Sequence, residues 1–232
     1  MYKRIVLKLS GEAIGKTGNG VEFDNSIIKE IIRQVKVLLN QNTQVSLVIG
    51  GGNIWRGRTG GNVDRTRADR MGMMATLINS IALEEALTEV GQKAVIMSAL
   101  EVKPVAELFD KFRAIEYMNN GYVVIFACGT GHPYFSTDTA GTLRAIEIEA
   151  DIALFSKNID GVYTADPRLD SKAVRLDKIT YVEILTKQLK VIDAASAAMA
   201  MENSLKTLLF AAEDPENIYR AVNGESVGTL VI

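Results

Sequence analysis

The chemistry in this chain is concentrated where apolar runs break into glycine. Val45–Gly57 reads Val-Ser-Leu-Val-Ile-Gly-Gly-Gly-Asn-Ile-Trp-Arg-Gly, so three consecutive glycines, Gly50, Gly51 and Gly52, end a β-rich run and Arg56 follows. Backbone without Cβ atoms can take φ > 0 and approach a ligand closely, and successive N–H groups can converge on an anion. A plain strand-to-loop turn needs one glycine, not three. A second apolar run, Tyr122–Ala127, opens into Cys128-Gly-Thr-Gly-His-Pro-Tyr-Phe-Ser-Thr-Asp138. That Gly/Thr/Ser-rich loop precedes a helix, which is the geometry that holds phosphate through N–H groups and hydroxyls. Lys8 ends the first apolar run. Farther on, Tyr163-Thr-Ala-Asp166-Pro167 follows Asp160-Gly161, and this aromatic either stacks a purine beside a ribose-holding Asp or simply ends a hairpin.

Two tempting motifs fail. Gly11-Glu-Ala-Ile-Gly15-Lys16-Thr17 is one residue short of a P-loop, and Gly18-Asn19-Gly20 follows where a helix should start. Gly129-Thr-Gly131 is no dinucleotide fingerprint, because Tyr134 stands where the third glycine should be.

Composition narrows the classes further. The chain has 232 residues, enough for one sizeable core, with 47% hydrophobic and 23% charged residues. A net charge of −2 excludes a bulk electrostatic grip on nucleic acid, so an anionic ligand must be met by local positive groups. One cysteine, Cys128, leaves no disulfide within the chain and fits a reducing compartment. One histidine, His132, excludes a multi-histidine metal site and weakens any histidine-based triad. No run of about 18 apolar residues exists to span a membrane, and the first ten residues are too short and too charged for a signal peptide. The expectation is a soluble, cytoplasmic protein with no protein-built metal site.

The elements that must carry these breaks alternate. Arg4–Leu9 reads as a strand. Asp24 or Asn25 caps a helix with Ile27, Ile28, Ile31, Ile32, Val35, Leu38 and Leu39 at helical spacing. Val45–Ile49 is the next strand, and a polar loop with Arg56, Arg58, Arg65, Arg67 and Arg70 follows it, Arg58 and Arg65 reading as solvated. A long helix over Ala68–Val90 puts Met71, Met74, Leu77, Ile78, Ile81 and Leu87 on one side, as core or subunit contact, and Gly91 ends it. Strands at Ala94–Met97, Tyr122–Ala127 and Ile152–Phe155 enclose one or two helices in Pro104–Asn120 and a helix from about Asp138 to Ile148. A short helix near Tyr181–Leu185, another after Asp193, a strand at Lys206–Phe210, a helix at Pro215–Val222 and a strand at Thr229–Ile232 complete the pattern. Such alternation predicts an α/β fold, a mainly parallel sheet covered on both faces. Ligands then lie beyond the carboxyl ends of the strands, which places Lys8, Gly50–Gly52, Gly129–Asp138 and the loop after Phe155 along one rim.

Taken together, Lys8-Leu-Ser-Gly11, Gly50-Gly-Gly-Asn-Ile-Trp-Arg56-Gly, Ala68-Asp69-Arg-Met-Gly-Met, Gly129-Thr-Gly-His-Pro-Tyr-Phe-Ser-Thr-Asp138 and Asp160-Gly-Val-Tyr-Thr-Ala-Asp166-Pro resemble the amino acid kinase superfamily, and within it the bacterial branch that phosphorylates uridylate. The likeness runs from the first strand to Ile232. It implies a single domain with a three-layer α/β/α sandwich, an acceptor lobe over about residues 1–150 and a donor lobe over about 151–232. The activity implied is reversible transfer from ATP to UMP, giving ADP and UDP in pyrimidine nucleotide biosynthesis, with Mg²⁺ carried by ATP and a homohexamer built as a trimer of dimers. By position, Lys8, Leu9, Ser10 and Gly11 would contact ATP, with Gly52 and Arg56 at its phosphates near the transfer point. Asn158, Tyr163 and Asp166 would hold the adenosine, Lys157 and Asn158 competing for one adenine-side role. Gly51 would contact UMP and Asp69 its ribose. Thr130, Gly131, His132, Pro133, Tyr134, Phe135, Ser136 and Thr137 would wrap UMP, and Asp138 and Asp193 would organise the active site. Lys8, Arg56, Asp138 and Asp193 are thus the expected catalytic group. His132 stands where relatives often carry Asn and is not expected to act as a base.

Phosphoryl transfer asks the protein to bring two polyanions in line and to stabilise the moving charge. Arg56 offers a planar fork and Lys8 a compact mobile cation. Two other readings stay open on the sequence: a nucleotide- or oxyanion-binding sensor without turnover, and a kinase of a small carboxylate or carbamate, which Asp69 and the Thr137-Asp138 pair disfavour.

Overall fold

The computed structural model describes residues 2–15, 22–55, 63–165, 169–170 and 172–232. Its elements in chain order are β1 (Arg4–Leu9), α1 (Gly11–Ile14), α2 (Asn25–Asn40), β2 (Gln44–Ile49), α3 (Arg65–Glu89), β3 (Ala94–Ser98), β4 (Glu107–Leu108), α4 (Lys111–Asn119), β5 (Val123–Ala127), α5 (Thr137–Glu147), β6 (Ile152–Lys157), β7 (Val162–Tyr163), β8 (Arg175–Leu176), β9 (Lys178–Ile179), α6 (Tyr181–Thr186), α7 (Ala194–Glu202), β10 (Thr207–Ala211), α8 (Glu216–Val222) and β11 (Gly228–Val231). Among the described residues nine strands form one sheet in the order β4-β3-β5-β2-β1-β6-β10-β11-β9. Every pairing in it is parallel except β10 with β11. β7 and β8 form a separate antiparallel pair.

Burial on both faces explains why the inner strands are mostly apolar. Odd and even positions divide between two cores. Ile5, Leu7 and Leu9 of β1, with Val45, Leu47 and Ile49 of β2, face α2, α3 and α8. Val6, Val48, Val124, Phe126, Ala153 and Phe155 face the opposite layer, built from α4, α5, α6 and α7. The result is the three-layer sandwich, with a mainly parallel central sheet, that the alternation of the sequence predicts.

Local signals set the helix ends. Asp24, not Asn25, caps α2, its Oδ1 accepting from the N–H groups of Ser26 at 3.0 Å and Ile27 at 3.3 Å. Asp64 caps α3 through Arg67 N–H at 3.2 Å, so this helix starts at Arg65, earlier than its apolar pattern alone indicates. The expected single apolar side of α3 is in fact two. Met73, Leu77, Leu83 and Leu87 are buried, whereas Met71, Met74, Ile78 and Ile81 form a stripe on the outer side, each about two-fifths exposed. The Pro104–Asn120 stretch holds one helix, α4, preceded by the short β4. The failed P-loop is a single helical turn, α1, and its Lys16 and Thr17 lie outside the described residues.

Candidate functional site

β1 and β6 are neighbouring parallel strands, and Lys8 pairs in register with Phe155. Side chains alternate along a strand, so Lys157, two residues past Phe155, emerges on the same face as Lys8. α5 packs against that face. A Cβ on Gly141 would sit 3.2 Å from the Phe155 ring and 3.5 Å from Lys8 Cβ, so the glycine lets the helix lie close to both strands. The N-cap of α5 is Ser136, whose Oγ accepts from Asp138 N–H at 3.1 Å and Thr139 N–H at 3.4 Å. Asp138, in the first turn, therefore reaches between the two lysines. Lys8 Nζ lies 3.0 Å from its Oδ1, and Lys157 Nζ bonds its Oδ2.

This cluster is buried. Lys8 is 6% exposed and Asp138 8%. Burial pushes the Asp138 carboxyl up, but Lys8 and Lys157 outweigh it and hold the group below its ordinary value. The α5 N-terminus favours the same ionised form. For Lys157 the balance is reversed. Burial pushes its ammonium down, Lys8 adds to that, and the attraction of Asp138 and Asp193 does not restore it. Burial is the larger effect: Lys8 and Lys157 share the Asp138 carboxylate, and Asp193 offsets the loss at Lys157 only in part. The resemblance leaves Lys157 competing with Asn158 for one adenine-side role, and the apolar pattern reads the strand over Ile152–Phe155. The strand continues to Lys157, and its alternation was the signal that could have placed this residue at the centre.

Glycine governs the rim above. Gly50 N–H donates to Leu9 O at 3.0 Å, and a Cβ on Gly11 would fall 2.4 Å from Gly50 O. The β1–α1 turn and the glycine loop thus touch backbone to backbone. Gly51 rests directly on α3, where an added Cβ would meet Ala75 Cβ at 2.7 Å and Gly72 O at 2.8 Å. Trp55 closes the loop by donating from Nε1 to Ala68 O at 2.9 Å. Gly52 faces Glu12, and Asn158 Nδ2 donates to Glu12 Oε2 at 3.4 Å. Ser10 caps α1 through Glu12 N–H, and Leu9 is buried in the core with its O taken by Gly50 N–H.

On the other side of Gly51 lies a cleft lined by Gly51, Trp55, Asp69, Gly72, Met73, Thr76, Gly129, Thr130, His132, Phe135, Ser136 and Thr137. Most of the residues expected to wrap an acceptor nucleotide are gathered there. Gly131, Pro133 and Tyr134 do not line it. Tyr134 is 67% exposed with φ +72°, and its ring lies under the Arg65 guanidinium at 5.4 Å. Arg65 is accordingly not the solvated loop residue expected, but a helical residue that donates to Asp69 at 2.8 Å. Asp69 Oδ2 also accepts Tyr134 N–H at 2.8 Å, so it holds the Gly129–Thr137 loop onto α3.

A further cleft lies beside the lysine cluster, bounded by Asp138, Lys157, Gln188, Lys190 and Asp193. It brings Asp193, at the N-terminus of α7, to the same centre as Asp138. Tyr163 stands apart on β7, its hydroxyl donating to Asp160 at 2.9 Å. The roles expected of Arg56 and Asp166 fall outside the described residues.

Comparison with known proteins agrees with this geometry. Residues 3–211 match the model of the amino acid kinase family. A crystal structure titled UMP kinase from Bacillus anthracis is 35% identical, with a TM-score of 0.94 and coverage of 99% of this chain and 96% of that one. UMP kinase from Ureaplasma parvum is also 35% identical, at TM-score 0.93, covering 100% and 99%. Uridylate kinase from Archaeoglobus fulgidus is 29% identical at TM-score 0.73, covering 98% and 99%. On the family match and on relatives that span nearly its whole length, this chain belongs to the amino acid kinase family.

Proposed function

We propose that this chain is a UMP kinase, transferring the γ-phosphoryl group of ATP to UMP. The observation that carries the reading is the buried Lys8–Asp138–Lys157 cluster, which sets two ammonium groups between the cleft lined by Asp138 and Lys157 and the cleft lined by Thr137. The similarity to UMP kinases over nearly the whole chain supports the choice of acceptor.

An oxygen of the UMP phosphate attacks the γ-phosphorus, the bond from that phosphorus to the β,γ-bridging oxygen breaks, and ADP leaves with the electron pair. The attacking phosphate is already ionised near neutral pH, so no general base is needed. Lys8 and Lys157 offset charge on the moving group, with Asp138 holding both ammonium groups in place. Gly51 faces the acceptor and Gly52 the donor. Asp69, whose Oδ2 is engaged by Arg65 and Tyr134, turns its other oxygen to the ribose. Arg56 adds a bidentate phosphate contact, and Asn158, Tyr163, Asp166 and Asp193 complete the donor side.

Mg²⁺ belongs to this reading as the partner of ATP. The Asp138 carboxylate is already shared by two lysines, so the ion is assigned to the ATP phosphates. The outer stripe of α3 supports the hexameric assembly, and no helix among the described residues is long and apolar enough to cross a membrane. We place the activity in the cytoplasm, within pyrimidine nucleotide biosynthesis.

A coupled ADP-release assay across UMP, CMP, carbamate and acetylglutamate tests the proposal. UMP-dependent release is expected. Stabilisation by ATP and UMP without release would instead indicate a sensor, and release with a small carboxylate or carbamate a different kinase.

A further inference from the structure

Asn79 is fully buried on the inner side of α3, and it lines neither the acceptor cleft nor the cleft beside the lysine cluster. Its amide is nevertheless fully engaged. Nδ2 donates to Gly50 O at 2.6 Å and to Asn53 Oδ1 at 2.8 Å. Its Oδ1 accepts from Asn53 Nδ2 at 3.1 Å. Asn53 in turn abuts the β1–α1 turn: a Cβ on Gly11 would lie 2.5 Å from Asn53 Oδ1, and one on Gly15 would lie 2.7 Å from Asn53 Cβ. The reciprocal amide pair therefore joins three pieces of chain: the first glycine turn, the Gly50–Gly52 loop, and the helix that carries Asp69. One turn earlier, Thr76 Oγ1 accepts Cys128 N–H at 2.8 Å and so ties the start of the Gly129–Thr137 loop to the same helix.

We infer that Asn79 is a positioning residue for phosphoryl transfer: it fixes the Gly50–Gly52 loop between donor and acceptor without touching either nucleotide. The inference rests on the kinase reading given above. A glycine loop brings backbone N–H groups to a ligand but cannot hold itself in place, since it has no side chains to pack. A buried amide with both donors and its acceptor satisfied supplies that rigidity. Misplacement by about 1 Å costs on the order of a hundredfold in rate.

Asn79→Asp keeps the shape and turns a carboxylate oxygen toward Gly50 O and Asn53 Oδ1, where an N–H had been. In the full-length protein its kcat is expected to fall at least tenfold, with KM for UMP and ATP within about threefold of wild type. Trp55, the sole tryptophan of the chain, sits on this loop, so its emission spectrum should shift in the unliganded variant. Ser80→Ala is the control. Ser80 is equally buried and donates only to Thr76 O in its own helix, at 2.8 Å, so it should lower Tm while leaving kcat and the Trp55 spectrum unchanged. Asn53→Ala removes the partner from a partly exposed position and should act in the same direction as Asn79→Asp. If Asn79→Asp does not fold, Asn53→Ala decides by the same criteria. A kcat within twofold of wild type, or a Trp55 spectrum identical to wild type, overturns the inference. Absence of UMP-dependent ADP release by the wild-type chain would overturn the kinase reading instead, and the Trp55 comparison would still test the anchoring of the loop.

Discussion

Asp138 is held ionised by two lysines, and both ammonium groups bond that carboxylate. Those two facts predict opposite consequences for the two partners. Asp138→Asn would remove the carboxylate that both buried ammonium groups bond. Unpaired buried charges of this kind cost roughly 3–5 kcal/mol, so chemical denaturation should show a loss of that order together with loss of turnover. Lys157→Met leaves the Lys8–Asp138 pair intact and removes the cation whose folded-state pKa is depressed by burial. A depressed lysine pKa means that the charged form is penalised at neutral pH, and that penalty is relieved as pH rises through the folded value. The variant should therefore be at least as stable as wild type at pH 7 by calorimetry, while kcat falls about a hundredfold. The same sign sets the pH profile. In wild type, kcat should decline on an alkaline limb centred below the ordinary lysine range near 10.4, and Lys157→Arg, which stays charged, should lack that limb. For Asp138 the sign is the reverse. Its depressed pKa contributes stability above the ordinary carboxyl range, near 3.9, and that contribution is lost as pH falls through the folded value.

At the scale of elements, α3 is the bed on which both rim loops lie, and Gly51 is where the contact is closest. Gly51→Ala would place a methyl 2.7 Å from Ala75 Cβ and 2.8 Å from Gly72 O. Backbone cannot yield as a flexible side chain can, so the loop must lift. We expect kcat/KM for UMP to fall at least tenfold. Gly121→Ala provides the contrast. Gly121 has φ +78° with open space around its Cβ position, so it should lose roughly 1–2 kcal/mol of stability with kcat/KM intact. These loops were legible in the sequence because glycine clusters after apolar runs are a local signal, and so were the strands that carry them. Asn79 and Lys157 were not. Asn79 lies in a long helical pattern that reads as ordinary amphipathic sequence, and its partner Gly50 is 29 residues away. Lys157 depends on a strand end, and its position opposite Lys8 exists only once β1 and β6 are paired. The two faces of α3 were merged for a related reason: a run of methionines, leucines and isoleucines shows which positions are apolar, but not which of two stripes meets the sheet.

The whole molecule sets how the two sides of the sheet relate. β1 lies in the middle of the sheet, bonded to β2 on one side and to β6 on the other. The chain up to β5 therefore builds one wing, and β6 onward the other, with Lys8 at the seam. A lobe division near residue 150 would mark a change of ligand rather than a break in structure, because β1 hydrogen-bonds both wings through four to six registered positions on each side. No core belongs to one wing alone: Ile5 and Leu7 share a cluster with both Ile125 and Leu154. Unfolding should accordingly be one cooperative transition. ATP and UMP, whose proposed sites lie on opposite wings, should each raise that same transition, by about 2.7 kcal/mol at a concentration 100 times Kd. Differential scanning calorimetry with each nucleotide separately makes the test. Two resolved transitions, with UMP shifting one and ATP the other, would show that the wings are independent units and that the seam at β1 does not couple them.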